Sequence, residues 1–423
     1  MNLEIASHHV TNVEFGERTE MRDGALFIDR AGLVSHLRED RNFSDIDITI
    51  AHPGDMTRVI NLLDVVDIRK KEADSGEVFP GFIGKIEQTG LGRTHVAKGV
   101  SIIETGRREG FFGGILDMGG EGSRYTPYAL THNIVLIPTP REGILAAHYA
   151  YSLKLAALKT SVYLGKALLP VPPDEVPLSD FEPGSRNGTG GTLPRIGYIW
   201  HVLSHYDLRS VYYCGSRSYS FYPFVVHPRE IVDGALISGH YDHSPALKNY
   251  TCSMLNNPVM MELVARHGKD LDFAGVILTN SPATVEEKKR NGAMSARLAK
   301  SLLRCDGVVI TKEGGGHTDM DLMESCKGCE KAGIRTSLID IEMLSPAGEG
   351  DYPLVVFERE ADAIASGGNV EERVRLPAME NVVGGEGMKE LGEDAGGEKE
   401  VPLFLLSGAV SELGMSRIRG EWY

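Results

Sequence analysis

The chain has 423 residues, 42% of them hydrophobic and 24% charged, and carries a net charge of −15 with a pI near 5.4. That length implies two or three domains in a soluble globular protein, and the acidic balance excludes nucleic acid as a main partner, because phosphate contacts need a basic surface. No stretch reads as a secretory signal, and five scattered cysteines suit a reducing, cytoplasmic setting better than a disulfide scaffold.

Residues 1–142 read as a β-rich N-terminal domain. Short alternating apolar stretches at Ala25–Ile28, Ile46–Ile50, Gly99–Glu104 and Asn133–Ile137 are separated by turn clusters such as His52-Pro53-Gly54-Asp55. The apolar run Ile144–Leu169 predicts a long amphipathic helix; His148, Lys154, Lys159 and Lys166 interrupt it and argue against a membrane span. Pro170–Gly191, rich in Pro, Gly and Asp, reads as a surface linker, so 143–192 joins two domains.

From Arg195 strand and helix alternate. Strands are expected at Ile196–Trp200 and Val211–Cys214, then a helix at 258–267 with Asn257 as N-cap, Pro258 at the first helical position and Gly268 as the stop. A strand at Phe273–Thr279, a helix at Ala283–Arg304, a strand at Gly307–Thr311, a helix at Asp319–Ala332 and a strand at Arg335–Ile341 follow, with a further strand at Leu354–Phe357. This order implies parallel βαβ crossovers, so the class expected for 193–423 is α/β with a doubly wound parallel sheet. Residues 379–400, rich in Gly and Glu, read as a mobile acidic loop before a closing segment, Leu403–Ser407.

Open α/β sheets bind ligands at the carboxyl ends of their strands. Two such ends carry polar groups here, Thr279-Asn280-Ser281-Pro282 and Glu313-Gly314-Gly315-Gly316-His317. Glycines bare backbone N–H groups and a helix N-terminus favours an anion, which makes Asn280, Glu313 and His317 candidate substrate-binding residues. The competing reading is a tight βα turn with His317 at the surface. No dinucleotide or P-loop pattern follows a strand. Cys326 and Cys329 have zinc or redox spacing, yet they lack a second pair and lie inside an expected helix, so they read as structural.

His240-Tyr241-Asp242-His243 is close in sequence to Thr251-Cys252-Ser253. Imidazoles and a carboxylate can serve as general bases for a thiol, which near its ordinary pKa of about 8.5 is mostly protonated at neutral pH. Ordinary loop hydrogen bonds are the competing reading, and so few ligands predict no metal site.

The runs Lys248-Asn249, Leu255-Asn256-Asn257-Pro258-Val259, Arg266-His267-Gly268-Lys269-Asp270 and Gly275-Val276-Ile277 resemble the component B proprotein of the glycine, sarcosine and betaine reductases. So do Phe79-Pro80-Gly81, Gly92-Arg93-Thr94-His95-Val96, Asp233-Gly234-Ala235 with Ser238-Gly239, and Glu412-Leu413-Gly414, in order along the chain. The resemblance implies a hetero-oligomer that reductively cleaves a C–N bond in a small amino acid or amine, beside a separate thiol- or selenol-containing subunit. It also implies a pyruvoyl group, made when a cysteine attacks the preceding carbonyl and the new N-terminus becomes a ketone. Glycine-type members carry Asn-Cys after the Ser-Gly that corresponds to Ser238-Gly239. This chain has His240-Tyr241 there, and tyrosine cannot complete that chemistry.

The cysteine of the segment is Cys252, after Thr251, and the related proline reductase proprotein is similar in being cut at a Thr-Cys bond. Two alternatives stay open. Either Cys252 is the displaced pyruvoyl precursor, or the chain stays intact. An intact chain would act as a lyase or transferase through His240, Tyr241, Asp242 and His243, or as a non-catalytic scaffold for the thiol or selenol subunit. The match around Arg93 and His95 makes them candidates for the same cleft, since a guanidinium suits a substrate carboxylate. A structural ion pair is the competing reading for Arg93.

Overall fold

The computed structural model describes residues 3–73, 75–176, 193–206, 209–345 and 356–414. Most of the expected linker and the start of the expected Leu354–Phe357 strand lie outside these residues, and Val356 and Phe357 are not in a strand.

The N-terminal part is built on a sheet whose strands run in the order Gly114–Asp117, Thr57–Val66, Val100–Thr105, His132–Pro140 and Phe43–Ala51. Thr57–Val66 is buried at every position, which is why its sequence is a nearly continuous apolar run rather than an alternation. Arg58, Asn61 and Asp64 are buried polar residues within it, and Asp64 lies across from Glu104 on the neighbouring strand. The expected long helix is Ala146–Gly165, and Tyr149, Leu153, Ala157 and Leu164 pack it into the core with Val66, Ile102 and Leu136. Lys154 is not a solvated interruption of that helix: it is buried between Asp64 and Glu104. A smaller sheet, Leu3–His9, Gly92–Lys98 and Arg69–Lys71, lies in the same part of the chain.

The second large sheet has five parallel strands in the order Asp272–Ser281, Arg195–Tyr206, Gly307–Thr311, Arg335–Glu342 and Ile364–Asn369, with Phe224–Val226 antiparallel on the outer side of Asp272–Ser281. The expected helices are present. Pro258–Arg266 starts where the Asn257 side chain accepts from Met260 N, a cap contributing about 1 kcal/mol. Val285–Arg297 continues as a wider turn to Leu303, and Asp319–Lys331 completes the set. Successive strand residues point to opposite faces. Tyr198, Trp200, Val276 and Leu278 therefore pack with Met260 and Leu263 of the first helix, while Ile199, Ile277 and Ile310 pack with Ala296, Leu322, Cys326 and Cys329 of the other two. Both cysteines are buried free thiols in that apolar layer.

One hydrophobic cluster runs without a break from Ile102 and Leu153 to Trp200 and Leu278, so the two sheets share a core. The distal end of the chain returns to the first sheet. Asn381–Val383 pairs in parallel with Thr57–Val59, and the fully buried Arg58 grips Asp117 with two hydrogen bonds while donating to the carbonyls of Pro377, Ala395 and Gly397. Residues 379–400, expected as an acidic loop, thus hold a strand of the N-terminal sheet, because a buried guanidinium needs every donor satisfied and those backbone carbonyls supply the acceptors. Among the described residues no helix is long and apolar enough to cross a membrane.

The central strand also carries a buried titratable group. His201 Nε2 lies 2.9 Å from Ser325 Oγ, and burial, aided by Lys288, pushes its pKa down to about 3. The folded state therefore refuses a proton that the unfolded state accepts below about pH 6.5, and stability falls as the pH drops from there toward 3. Denaturant melts at pH 7, 5.5 and 4 should show a loss that His201→Gln reduces by on the order of 3 kcal/mol at pH 4; an identical pH slope in the variant would assign the loss to other groups.

Candidate functional site

The strand order reverses between Arg195–Tyr206 and Gly307–Thr311, and the crevice at their carboxyl ends is where such sheets take ligands. Here the chain's own 238–253 segment occupies it. Glu313, just past Gly307–Thr311, accepts from Leu203 N at 2.9 Å through Oε2 and from Asn249 N at 2.7 Å through Oε1. His240 Nε2 lies 3.1 Å from the same Oε1, and both side chains are fully buried. Glu313 is thereby an anchor for the segment, and its two oxygens are already engaged.

Gly314 has φ +88°, and a Cβ there would meet Leu203 Cδ1 at 3.2 Å and His243 Nε2 at 3.4 Å, so His243 lies against this loop. The 240–253 segment therefore packs at this edge through His240, His243 and Asn249. His317 is exposed on the loop, and Asn280 is turned to its own neighbours, accepting from Asn291 at 2.6 Å and donating to Tyr219 O at 3.4 Å.

Behind the segment lies a buried charged cluster. Lys154 bridges Asp64 and Glu104, with Glu104 Oε2 at 2.9 Å. Burial alone would lower the lysine's pKa; the two carboxylates outweigh it and hold it above the usual value. Burial raises the Glu104 pKa. Burial, with Glu104 next to it, raises the Tyr241 hydroxyl well above its ordinary range, and Lys154 Nζ sits 5.6 Å from the centre of the Tyr241 ring. Lys248 Nζ donates to His240 O at 3.1 Å and is depressed by burial to about 8, with half-buried Asp242 among the carboxylates that oppose the shift. Removing one partner from such a set costs about 3–5 kcal/mol, since an uncompensated charge stays buried.

Thr251 and Cys252 open the short helix Thr251–Leu255 directly on this cluster. Asp64 accepts from Thr251 N at 2.8 Å and from Thr251 Oγ1 at 2.5 Å. On the other side, Asn256 Nδ2 donates to Asp67 Oδ2 at 2.8 Å and to Cys252 O at 2.9 Å, while Arg69 donates to the same Asp67 oxygen at 2.7 Å. Burial, and then the Asp67 charge, push the Cys252 thiol pKa well up. Asp67 and Asn256 also line a cavity of about 240 Å³ whose other walls include Val96, Val100, Pro127 and Leu130. Cys252 is thus one residue behind the polar end of a largely apolar pocket, the form small-molecule sites take.

Arg93 and His95 have a different neighbourhood from the one expected. Arg93 pairs with Glu4 at 2.6 Å and Glu72 at 3.6 Å, and His95 lies between His8 at 2.8 Å and Glu72 at 3.2 Å. Their strand does reach the cavity, through Val96, Ala97 and Lys98; the pleat turns neighbouring side chains to opposite faces. Sequence reasoning missed Asp64, Asp67, Glu104, Lys154 and Asn256 as site residues. A signal was present: Asp64 interrupts an apolar strand and Asp67 follows directly at its end, and carboxylates are not buried without partners.

Comparison with known proteins agrees with the resemblance. The chain is 33% identical over 433 positions to the glycine reductase complex component B subunits alpha and beta of Acetoanaerobium sticklandii, covering all of both chains. It is 36% identical over 386 positions to the sarcosine reductase complex component B subunit alpha of Peptoclostridium acidaminophilum, covering 91% of this chain and 89% of that one. The betaine reductase complex component B subunit alpha of the same organism is 33% identical over 394 positions, 91% and 88% of the two chains. No solved structure matches. Residues 1–411 match the family described as glycine/sarcosine/betaine reductase component B subunits, and with full-length relatives at this identity the chain belongs to that family.

Proposed function

We propose that the protein is a subunit of a reductase complex that cleaves a C–N bond in a small amino acid or amine, and that its reacting group arises at Cys252 by cleavage after Thr251. One observation carries this reading: the Thr251–Cys252 bond is held between Asp64 and the Asp67–Asn256 pair, and that pair lines the cavity of about 240 Å³. A pyruvoyl group needs a side-chain nucleophile directly after a carbonyl, next to a proton acceptor, and Cys252 beside Asp67 meets both needs. Tyr241 does not. In this reading Asp67 takes the Sγ proton, the sulfur attacks the Thr251 carbonyl carbon, and the Thr251–Cys252 C–N bond breaks as a thioester forms. Loss of the residue 252 Cα proton then breaks its Cβ–S bond and expels the sulfur as a thiocarboxylate on Thr251. The resulting enamine takes a proton at Cβ to become an imine, and water displaces its nitrogen as ammonia, leaving a ketone at the head of the second fragment. When present, that ketone supplies electron withdrawal at the substrate nitrogen without a metal. The cavity's apolar walls exclude water around it, and Asn256 orients the residue 252 carbonyl. The two electrons of the reductive step come from the thiol or selenol of a separate subunit.

The same topology implies that cleavage does not separate the pieces. Arg195–Tyr206, from the first fragment, lies between Asp272–Ser281 and Gly307–Thr311 of the second, and Asn381–Val383 pairs back onto Thr57–Val59.

A second reading keeps the chain intact and uses Tyr241 as an acid–base group with Glu104 and Lys154. The observation favouring it is that Tyr241, at the position where glycine-type relatives carry cysteine, faces those two charges in the buried cluster.

Denaturing mass spectrometry of the purified protein should find fragments 1–251 and 252–423, the second labelled by a hydrazide carbonyl reagent, and Cys252→Ala should give one intact chain of 46.1 kDa. An unlabelled 46.1 kDa wild-type chain would sink the Cys252 reading and leave the Tyr241 one. The two fragments should also co-elute on native gel filtration and part only in denaturant. Spontaneous separation in native buffer would contradict the interlocked sheet.

A further inference from the structure

We infer that Asp64 is the positioning residue for cleavage at Thr251–Cys252, acting through the amide and hydroxyl of Thr251, with Lys154 as the counter-ion that keeps it aimed. The inference rests on the reading that the chain is cut there. It starts from the strand Thr57–Val66, where the pairing with Val100–Thr105 shifts register between Leu62 and Asp64. A bulge of this kind re-aims a side chain, and here it coincides with the residue whose carboxylate meets Thr251.

Both Asp64 oxygens are used on a single residue. Oδ1 accepts from Thr251 N at 2.8 Å and Oδ2 from Thr251 Oγ1 at 2.5 Å. The Thr251 hydroxyl in turn accepts from Ser238 N at 3.1 Å, on the strand Leu236–Ser238. One donor role and one acceptor role are thus both assigned, which fixes the Thr251 rotamer from two directions. With its amide and side chain held, the Thr251 carbonyl, the electrophile of the cleavage, has a defined direction relative to the Cys252 thiol. Proximity chemistry depends on that kind of alignment, and a misplacement of about 1 Å costs as much as ~100-fold in rate.

Lys154 explains how a carboxylate can be kept there. Asp64 and Glu104 are cross-strand partners, and two like charges directly opposite each other repel. Lys154, reaching in from the helix Ala146–Gly165, pairs with both and offsets that repulsion while Asp64 accepts two hydrogen bonds from Thr251.

The plain alternative is that Asp64 only satisfies the first N–H of a short helix. That role needs the Thr251 amide and is indifferent to the hydroxyl, so the two accounts differ at the side chain of residue 251. The full chain would be made by cell-free synthesis, and conversion to fragments followed on denaturing gels for the wild type, Thr251→Ser, Thr251→Val and Asp64→Asn, with thermal melts of each. Thr251→Ser keeps both hydroxyl bonds and should cleave within about threefold of wild type, whereas Thr251→Val and Asp64→Asn should cleave at least about tenfold more slowly while melting cooperatively. If Asp64→Asn fails to fold, Thr251→Val against Thr251→Ser decides. Wild-type cleavage with equal rates in the valine and serine variants would overturn the positioning role and leave the cleavage reading standing. A wild-type chain that never cleaves would overturn both.

Discussion

The interaction on which the rest depends is the burial of one ammonium between two carboxylates, Lys154 with Asp64 and Glu104. A buried carboxylate without a partner is costly, and two of them directly opposite on adjacent strands repel. The lysine comes from a helix 50 residues or more away in sequence from either acid, so the cluster exists only once that helix is docked on the sheet. Once formed, it presents Asp64 to the first turn of the Thr251–Leu255 helix and Glu104 to Tyr241. The segment 238–253 is thereby attached to the core of the N-terminal sheet by charge as well as by packing.

The opposite side of the segment is held by the α/β sheet. In most open sheets the crevice beside the central strand receives a ligand; here Glu313 uses its two oxygens to take the amides of Leu203 and Asn249, and the crevice is filled from within. The sheet acts as a receptor for its own chain. The cavity lies instead at the seam between the two sheets, where Asp67 and Asn256 line it and Cys252 lies behind them, with rigid elements on both sides.

The same seam explains why distant parts of the chain cannot be treated as independent. The central strand of the parallel sheet precedes the segment and its two neighbours follow it, while the strand Asn381–Val383 returns to the first sheet beside Arg58. Full-length similarity to glycine reductase component B subunits alpha and beta fits a unit of this kind, in which both halves complete each other's sheets.

Local chemistry by itself determined most of the α/β half. The Asn257-Pro258 start of a helix, the five-residue strand Gly307–Thr311 and the alternation that follows are short-range signals of capping, β-branching and turn glycines, and each element formed where those signals stand. The family too was legible, because its matching runs lie in order along the chain. Tertiary structure decided the site. Lys154 read as a polar break in an apolar helix, Arg93 as either a substrate guanidinium or a structural ion pair, and 379–400 as a loop; the first is the core counter-ion, the second is paired with Glu4 and Glu72, and the third contributes a strand. The physical reason is common to all three. A charge declares its role only through the partner it meets, and those partners lie tens to hundreds of residues away, where no periodicity or cap records them.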